Sequence, residues 1–203
     1  MKHYLKEFFL FPDVTVMFVI YLCLIGYVVP FMSQLSMWIS LIIGMITYAL
    51  SEYLVHRFLF HMKTPKSPFL LKIIKRLHFD HHVDPRNLKL LFLPIWFSIP
   101  NFSILGGIFY LITNNFPLTM AFIVGLITYF LYYEWTHYVA HRPIKPLTKI
   151  GDTIKKAHLW HHYKNENYWF GVTHMTVDKT LGTYKNHEEV ETSETARNLE
   201  KRM

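Results

Sequence analysis

No lysine or arginine occurs between residues 7 and 56 or between residues 90 and 136, and large apolar side chains dominate both stretches. A helix of roughly 20 mostly apolar residues crosses a bilayer, and in lipid only a helix or a closed barrel satisfies the backbone. Each stretch holds two such runs: Val14 to Met32 and Ser36 to about Val55, then Leu90 to Thr113 and Leu118 to about Tyr133. The links Ser33-Gln34-Leu35 and Asn114-Asn115-Phe116-Pro117 are short and uncharged, so the runs pair as two tight hairpins. Pro94 and Pro100 predict a kinked or partly re-entrant third span. Composition agrees, with 52% hydrophobic and only 17% charged residues, against about 25% charged in ordinary soluble domains.

The net charge of +7 does not indicate nucleic acid, because the 21 basic residues sit in three blocks: two in 1–6, eight in 57–89 and eleven in 137–203. Four spans put both termini and the middle loop on one side, and the positive-inside rule makes that side cytoplasmic. Cys23 is the single cysteine, which excludes a disulfide framework. The first run is long and no small-x-small cleavage site follows it, so a signal peptide is not expected. The expected architecture is all-α: a multi-pass membrane protein of four transmembrane helices with a cytoplasmic helical cap. It is read as one domain over 1–203, with a core to about residue 185 and a polar, mobile tail over 186–203 carrying a marginal helix. Nothing in the sequence fixes the oligomeric state.

Ten of the thirteen histidines form four clusters where the apolar runs end: His56 and His61; His78, His81 and His82; His137 and His141; His158, His161 and His162. Imidazole is the commonest protein metal ligand and suits iron, zinc and copper. Ten are too many for one ion but supply two with about five each. Residues three and four apart share a helix face, so each triplet points together if helical. His56 and His61 are five apart and bracket a helix end, the second reaching inward from a slightly unwound turn. The chain also repeats itself. Gly44-Met45-Ile46-Thr47-Tyr48 echoes Gly125-Leu126-Ile127-Thr128-Tyr129, and in both halves the last histidine of the pair lies 17 residues before the first of the triplet. Each half thus reads as hairpin, histidine pair, Pro-containing basic connector (Pro65 and Pro68; Pro143 and Pro146) and histidine triplet.

Glu52 and Glu134 are the acids deep in the apolar helices, about one turn before a cluster. They are expected to accept the second ring N–H of a ligand histidine; Asp80 and Asp152 are weaker candidates. Tyr133, Tyr138, Trp160, Trp169 and Phe170 are candidate walls of a substrate cavity, against the plainer reading of aromatic anchors at the membrane interface. His3, His174 and His187 lie outside the clusters.

The motifs His56-Arg57-Phe58-Leu59-Phe60-His61, His78-Phe79-Asp80-His81-His82, His137-Tyr138-Val139-Ala140-His141 and His158-Leu159-Trp160-His161-His162 resemble those of the fatty acid hydroxylase superfamily, which includes sterol desaturases, sterol methyl oxidases and fatty acid 2-hydroxylases. Gly171-Val172-Thr173 followed by Asp178-Lys179-Thr180-Leu181-Gly182-Thr183 is similar to its C-terminal signature, and the spacing is most similar to the fatty acid 2-hydroxylase branch. The resemblance implies a di-iron centre (zinc able to replace iron in a preparation), O2 as co-substrate, the ten cluster histidines as ligands, and a membrane lipid or acyl-chain substrate. Some relatives carry a fused cytochrome b5 domain for which this chain has no room. Electrons would then come from a separate ferredoxin or cytochrome b5 with its reductase; the basic loops, including Lys72, Lys75, Arg76, Lys155 and Lys156, either steer such an acidic donor or bind anionic lipid headgroups. The expected activity is hydroxylation of an acyl chain in lipid biosynthesis. The rival is sterol or carotenoid desaturation or hydroxylation on the same core. Metal transport, metal sensing and a structural zinc role are the non-catalytic alternatives.

Overall fold

A computed structural model describes residues 1–202, and among them the regular structure is entirely helical. In chain order the helices are α1 (Lys2–Phe9), α2 (Pro12–Val28), α3 (Leu35–Leu54), α4 (Pro68–Ile74), α5 (Asp80–Val83), α6 (Leu88–Leu91), α7 (Ile95–Thr113), α8 (Phe116–His141), α9 (Lys149–Tyr163) and α10 (Thr176–Thr180). π-Helical turns over Val55–Phe60 and Lys75–Phe79 follow α3 and α4. Four stretches are long and apolar enough to cross a membrane: Pro12–Phe31, Leu35–Phe60, Leu88–Thr113 and Phe116–His141. The chain divides into two compact units, Met1–Leu50 with Leu93–Glu134, and Ser51–Phe92 with Trp135–Met203.

In the first unit the repeated glycines explain themselves. A Cβ on Gly44 would run into the Phe122 carbonyl, and a Cβ on Gly125 would run into the Leu41 carbonyl. Each glycine therefore lets the other repeat's helix approach at backbone contact, the means by which apolar helices associate in lipid. Around this crossing Tyr48 packs edge-on against Phe102, Phe130 and Tyr133. Tyr21 and Thr128 share a hydrogen bond of 3.0 Å. Outward, Val19, Leu22, Ile42, Ile46, Ile104, Ile108 and Leu111 are exposed, as a surface solvated by lipid requires.

The third span breaks at Pro94 and not at Pro100. Pro100 lies inside the continuous helix α7, where the Asn101 and Ser103 side chains donate to the backbone carbonyls of Phe97 and Ile99. At the break the freed amides find carboxylates: Leu93 N–H donates to Glu134 Oε1 and Ile95 N–H to Asp13 Oδ1, each at 3.0 Å. Irregular backbone in a span persists only where such partners re-satisfy it.

In the second unit, α4 and α9 begin in the same way. Ser67 caps α4 through the Leu70 amide, and Thr148 caps α9 through the Gly151 amide. The tail departs from expectation. Val190 and Leu199 are buried, Val190 in a cluster with Ile154, Ala157, Trp169 and Met175, and Leu199 in one with Ile74 and Phe79. Polar composition concealed this, because a few apolar residues spaced along an extended segment leave no periodicity to read.

Candidate metal centre

All ten cluster histidines lie in the second unit, each at most 7% exposed. They separate into two groups of five, within which the offered ring nitrogens all lie within 4.8 Å of one another. Group A is His56, His61, His78, His82 and His161; group B is His81, His137, His141, His158 and His162. Each group takes one pair and the first and last members of the triplet that follows it. Each takes its fifth member, His161 or His81, from the middle of the other half's triplet. On helices α5 and α9 the middle and last histidines are adjacent in sequence, so they point about 100° apart and serve different groups. The groups are neighbours: the His82 and His162 rings stack with centroids 4.0 Å apart.

Pair spacing and helix type match. His137 and His141 are four apart in α-helix. His56 and His61 are five apart in a π turn, where the His61 amide donates to the His56 carbonyl at 3.1 Å. The wider turn keeps a five-residue spacing on one face.

The donor set fits metal ions. His78 Nε2 lies 3.2, 2.9 and 2.9 Å from the Nε2 atoms of His56, His61 and His82. One neutral ring nitrogen carries either a proton or a lone pair and cannot serve three such contacts. Two ligands about 2.1 Å from an ion and at right angles lie roughly 3 Å apart, which is this spacing. In group B, His137 and His81 approach to 2.9 Å and His141 and His158 to 2.8 Å through the same atoms. Both ring nitrogens of His162 are buried with no protein hydrogen-bond partner. Burial pushes His82 down to about 3 and drives His61, His78, His81, His158, His161 and His162 well below the usual imidazole range. Neighbouring imidazoles add to the effect. These rings are therefore neutral near pH 7 with lone pairs available.

Backbone carbonyls orient group A. Nδ1–H of His56 donates to the Phe170 carbonyl at 2.5 Å, that of His161 to Tyr168 at 2.7 Å and that of His82 to Ala196 at 2.7 Å. Each bond fixes the tautomer that leaves Nε2 free to bind metal. His61 differs. Its Nδ1 lies 3.3 Å from Arg202 Nη1, which also donates to the His61 carbonyl at 3.2 Å. A guanidinium only donates, so when His61 ligates through Nε2 the carbonyl is the partner left to Arg202.

The loop that supplies two of these carbonyls is held by a buried acid. Asp178 accepts the Phe170 and Gly171 amides at 2.8 and 2.7 Å and the Thr183 hydroxyl at 2.8 Å. Burial raises Asp178 above the usual carboxylate range, against these bonds, which favour its ionised form. Trp169 adopts φ 56°, a left-handed conformation costing about 1–3 kcal/mol outside glycine. Its amide is tied to the Thr183 carbonyl and its indole N–H to that of Lys185, both at 3.0 Å. A Cβ on Gly171 would strike the His174 carbonyl. The 171–183 signature thus reads as a device for aiming the carbonyls of residues 168 and 170.

Glu52 and Glu134 accept backbone amides: Glu52 takes the Val172 and Thr173 amides at 2.8 and 2.9 Å and the Thr173 hydroxyl at 2.6 Å, and Glu134 the Leu93 amide. The ring N–H acceptors seen in group A are main-chain carbonyls, which no residue-type signal could reveal. Of the five aromatic candidates, Phe170 faces the centre, its ring 5.3–5.8 Å from those of His56, His61 and His161. Trp160 and Trp169 pack in the cluster around Ile154, and Tyr138 stacks on Phe92. Tyr133 packs on Tyr48 in the first unit. Among the basic candidates, Lys155 donates to the carbonyls of Val139, Arg142 and Ile144 at 2.7–2.9 Å, closing the end of α8 onto α9. Lys75 pairs with Glu200 at 2.6 Å and Lys156 with Asp152 at 2.8 Å. His3, His174 and His187 join neither group.

Known proteins resemble this chain in sequence and in fold. A family model described as fatty acid hydroxylase matches residues 41–183. The chain is 31% identical to the ceramide very long chain fatty acid hydroxylase scs7 of Schizosaccharomyces pombe, over 76% of this chain and 44% of the relative. It is 35% identical to SCS7 of Saccharomyces cerevisiae, of the same description, over 75% of this chain and 40% of the relative. It is also 35% identical to the dihydroceramide fatty acyl 2-hydroxylase FAH2 of Arabidopsis thaliana, over 69% and 58%. The chain thus spans between two fifths and three fifths of the length of these curated relatives. A solved structure described as full-length scs7p with only the hydroxylase domain visible superposes with TM-score 0.78 at 25% identity, covering 88% of this chain and 67% of that one. On the family match and the shared fold, the chain belongs to the fatty acid hydroxylase family.

Proposed function

We propose that this protein is an O2-dependent lipid hydroxylase that inserts a hydroxyl group into an acyl chain at a pair of iron ions, one held by group A and one by group B. The observation that carries the reading is the convergence of ten buried imidazoles into two five-membered groups. The relatives support the substrate class, because those named above are described as acting on ceramide-linked or fatty acyl chains. Bound iron supplies O2 activation and oxidation of an unactivated C–H bond. The chain's own contribution is orientation and exclusion of water. The Phe170 and Tyr168 carbonyls fix His56 and His161, and the Phe170 ring covers three of the group A imidazoles. Such a site favours oxidation of a held carbon over wasteful reaction with solvent.

The full span 1–203 serves as one hydroxylase domain, taking its acyl chain from the membrane and its electrons from a separate ferredoxin or cytochrome b5 with reductase. The basic connectors support a cytoplasmic side for the centre under the positive-inside rule. The test is expression of wild type and His158→Ala in a host without such an enzyme, followed by mass spectrometry of total lipids. A lipid heavier by one oxygen atom, present with wild type and lost in the variant, is expected. A product lighter by two hydrogens would make the enzyme a desaturase, and identical profiles would contradict the proposal.

A further inference from the structure

Residues 193–202 lie beyond the family-matched segment 41–183, yet they touch two members of group A. The Ala196 carbonyl accepts from His82 Nδ1 at 2.7 Å, and Arg202 donates to the His61 carbonyl at 3.2 Å. This strap is anchored along its length. The Ser193 amide donates to the Lys164 carbonyl at 2.7 Å and the Thr195 hydroxyl to Glu166 Oε1 at 2.5 Å. Arg202 Nη2 donates to Asn167 Oδ1 at 2.8 Å, the Thr64 hydroxyl donates to the Glu200 carbonyl at 3.0 Å, and Leu199 is fully buried beside Ile74 and Phe79.

Among the described residues, no hydrogen bond from the strap reaches His81, His158 or His162 of group B. Nδ1 of His81, His158 and His162 is buried without a protein hydrogen-bond partner, whereas in group A three Nδ1–H groups meet carbonyls. Outer partners of ligating histidines set ring orientation and basicity, and losing one typically weakens metal binding about 10–100-fold.

We propose that the C-terminal strap makes group A the tighter of the two metal sites, so that group B surrenders its ion first. Arg202 and Leu199 act as positioning residues: Arg202 holds the His61 backbone, and Leu199 seats the segment that carries the Ala196 carbonyl. The inference rests on the two-metal reading and adds an order of occupancy to it.

The test is competition between zinc(II) and a chromophoric chelator in full-length, metal-stripped protein in detergent. A variant carrying His137→Ala and His141→Ala retains group A, and one carrying His56→Ala and His61→Ala retains group B. Group A is expected to bind zinc about 10–100-fold more tightly than group B. Adding Leu199→Asp should weaken group A by about 10-fold or more and leave group B unchanged. Arg202→Ala should act in the same direction but less strongly, and Arg202→Lys should restore part of the loss. Circular dichroism checks that each variant keeps its helices, and Arg202→Ala carries the test if Leu199→Asp does not fold. Equal affinities, or equal weakening of both groups by the strap variants, would overturn the proposal while leaving the two-metal reading intact. Failure of either group to bind zinc would remove that reading and the proposal with it.

Discussion

Groups A and B draw on the same inventory of side chains but are supported differently. Each has a histidine pair, two members of its own triplet and one from the other half's triplet. Group A's rings are aimed by main-chain carbonyls of the 168–170 loop and the strap, whereas group B's connection at the end of α8 is closed by the Lys155 ammonium. The difference follows from chain order. After the first triplet the chain goes back within a few residues into the third span, leaving no segment to wrap a neighbour. After the second triplet the 168–170 loop and residues 193–202 fold against group A. The metal ligands thus recur in both halves, whereas the orienting carbonyls of group A come from segments without a repeat.

The most severe way to break the comparison is at matched positions. His82→Ala and His162→Ala should each abolish the hydroxylated product and reduce bound metal from two ions per chain toward one. In each case the ion in the unaltered group remains. Metal analysis beside lipid mass spectrometry reads both effects, and a single substitution that emptied both groups would show that the two bind as one unit.

Acid should come next. The buried imidazoles stay neutral well below pH 6.5, while unfolded ones gain protons near that value. Their contribution to stability is therefore complete above about pH 6.5 and is lost as pH falls, by roughly 1.4 kcal/mol per pH unit for each extra proton the unfolded chain binds. Metal-stripped protein in mild detergent should show a thermal midpoint that drops steeply between about pH 6.5 and 5. A flat profile would mean that the rings are solvated.

Asp178→Ala sharpens the contrast. It strips the Phe170 and Gly171 amides of their acceptor, at about 1–3 kcal/mol for each buried group left unpaired. The loss should appear as weaker zinc binding by group A with group B little changed. The smallest effect belongs to the first unit. Gly125→Ala forces apart helices in backbone contact and should lower stability by about 1–3 kcal/mol. Zinc affinity should be unchanged in protein that remains folded.

The four spans, both hairpins and the ten clustered histidines were legible because apolar run length and imidazole spacing are properties of side-chain type. The His56 and His61 spacing even carried the unwound turn, which is a π turn. The exchange of His81 and His161 between groups was not legible, since adjacent positions on a helix diverge by an angle that matters only when both sites are built. Glu52 and Glu134 stand out in the sequence as buried acids, and the groups they meet include amides of residues 172, 173 and 93. Main-chain partners leave no trace in composition. The role of Asp178 is hidden for the same reason, and the tail reads as mobile because three buried residues, Val190, Ala196 and Leu199, are scattered among polar ones.

The most direct test of the central claim is anomalous X-ray scattering at the iron edge from crystals of iron-loaded protein. Two peaks per chain, one among His56, His61, His78, His82 and His161 and the other among His81, His137, His141, His158 and His162, are the predicted result. A single peak, or iron bound away from these imidazoles, would contradict it.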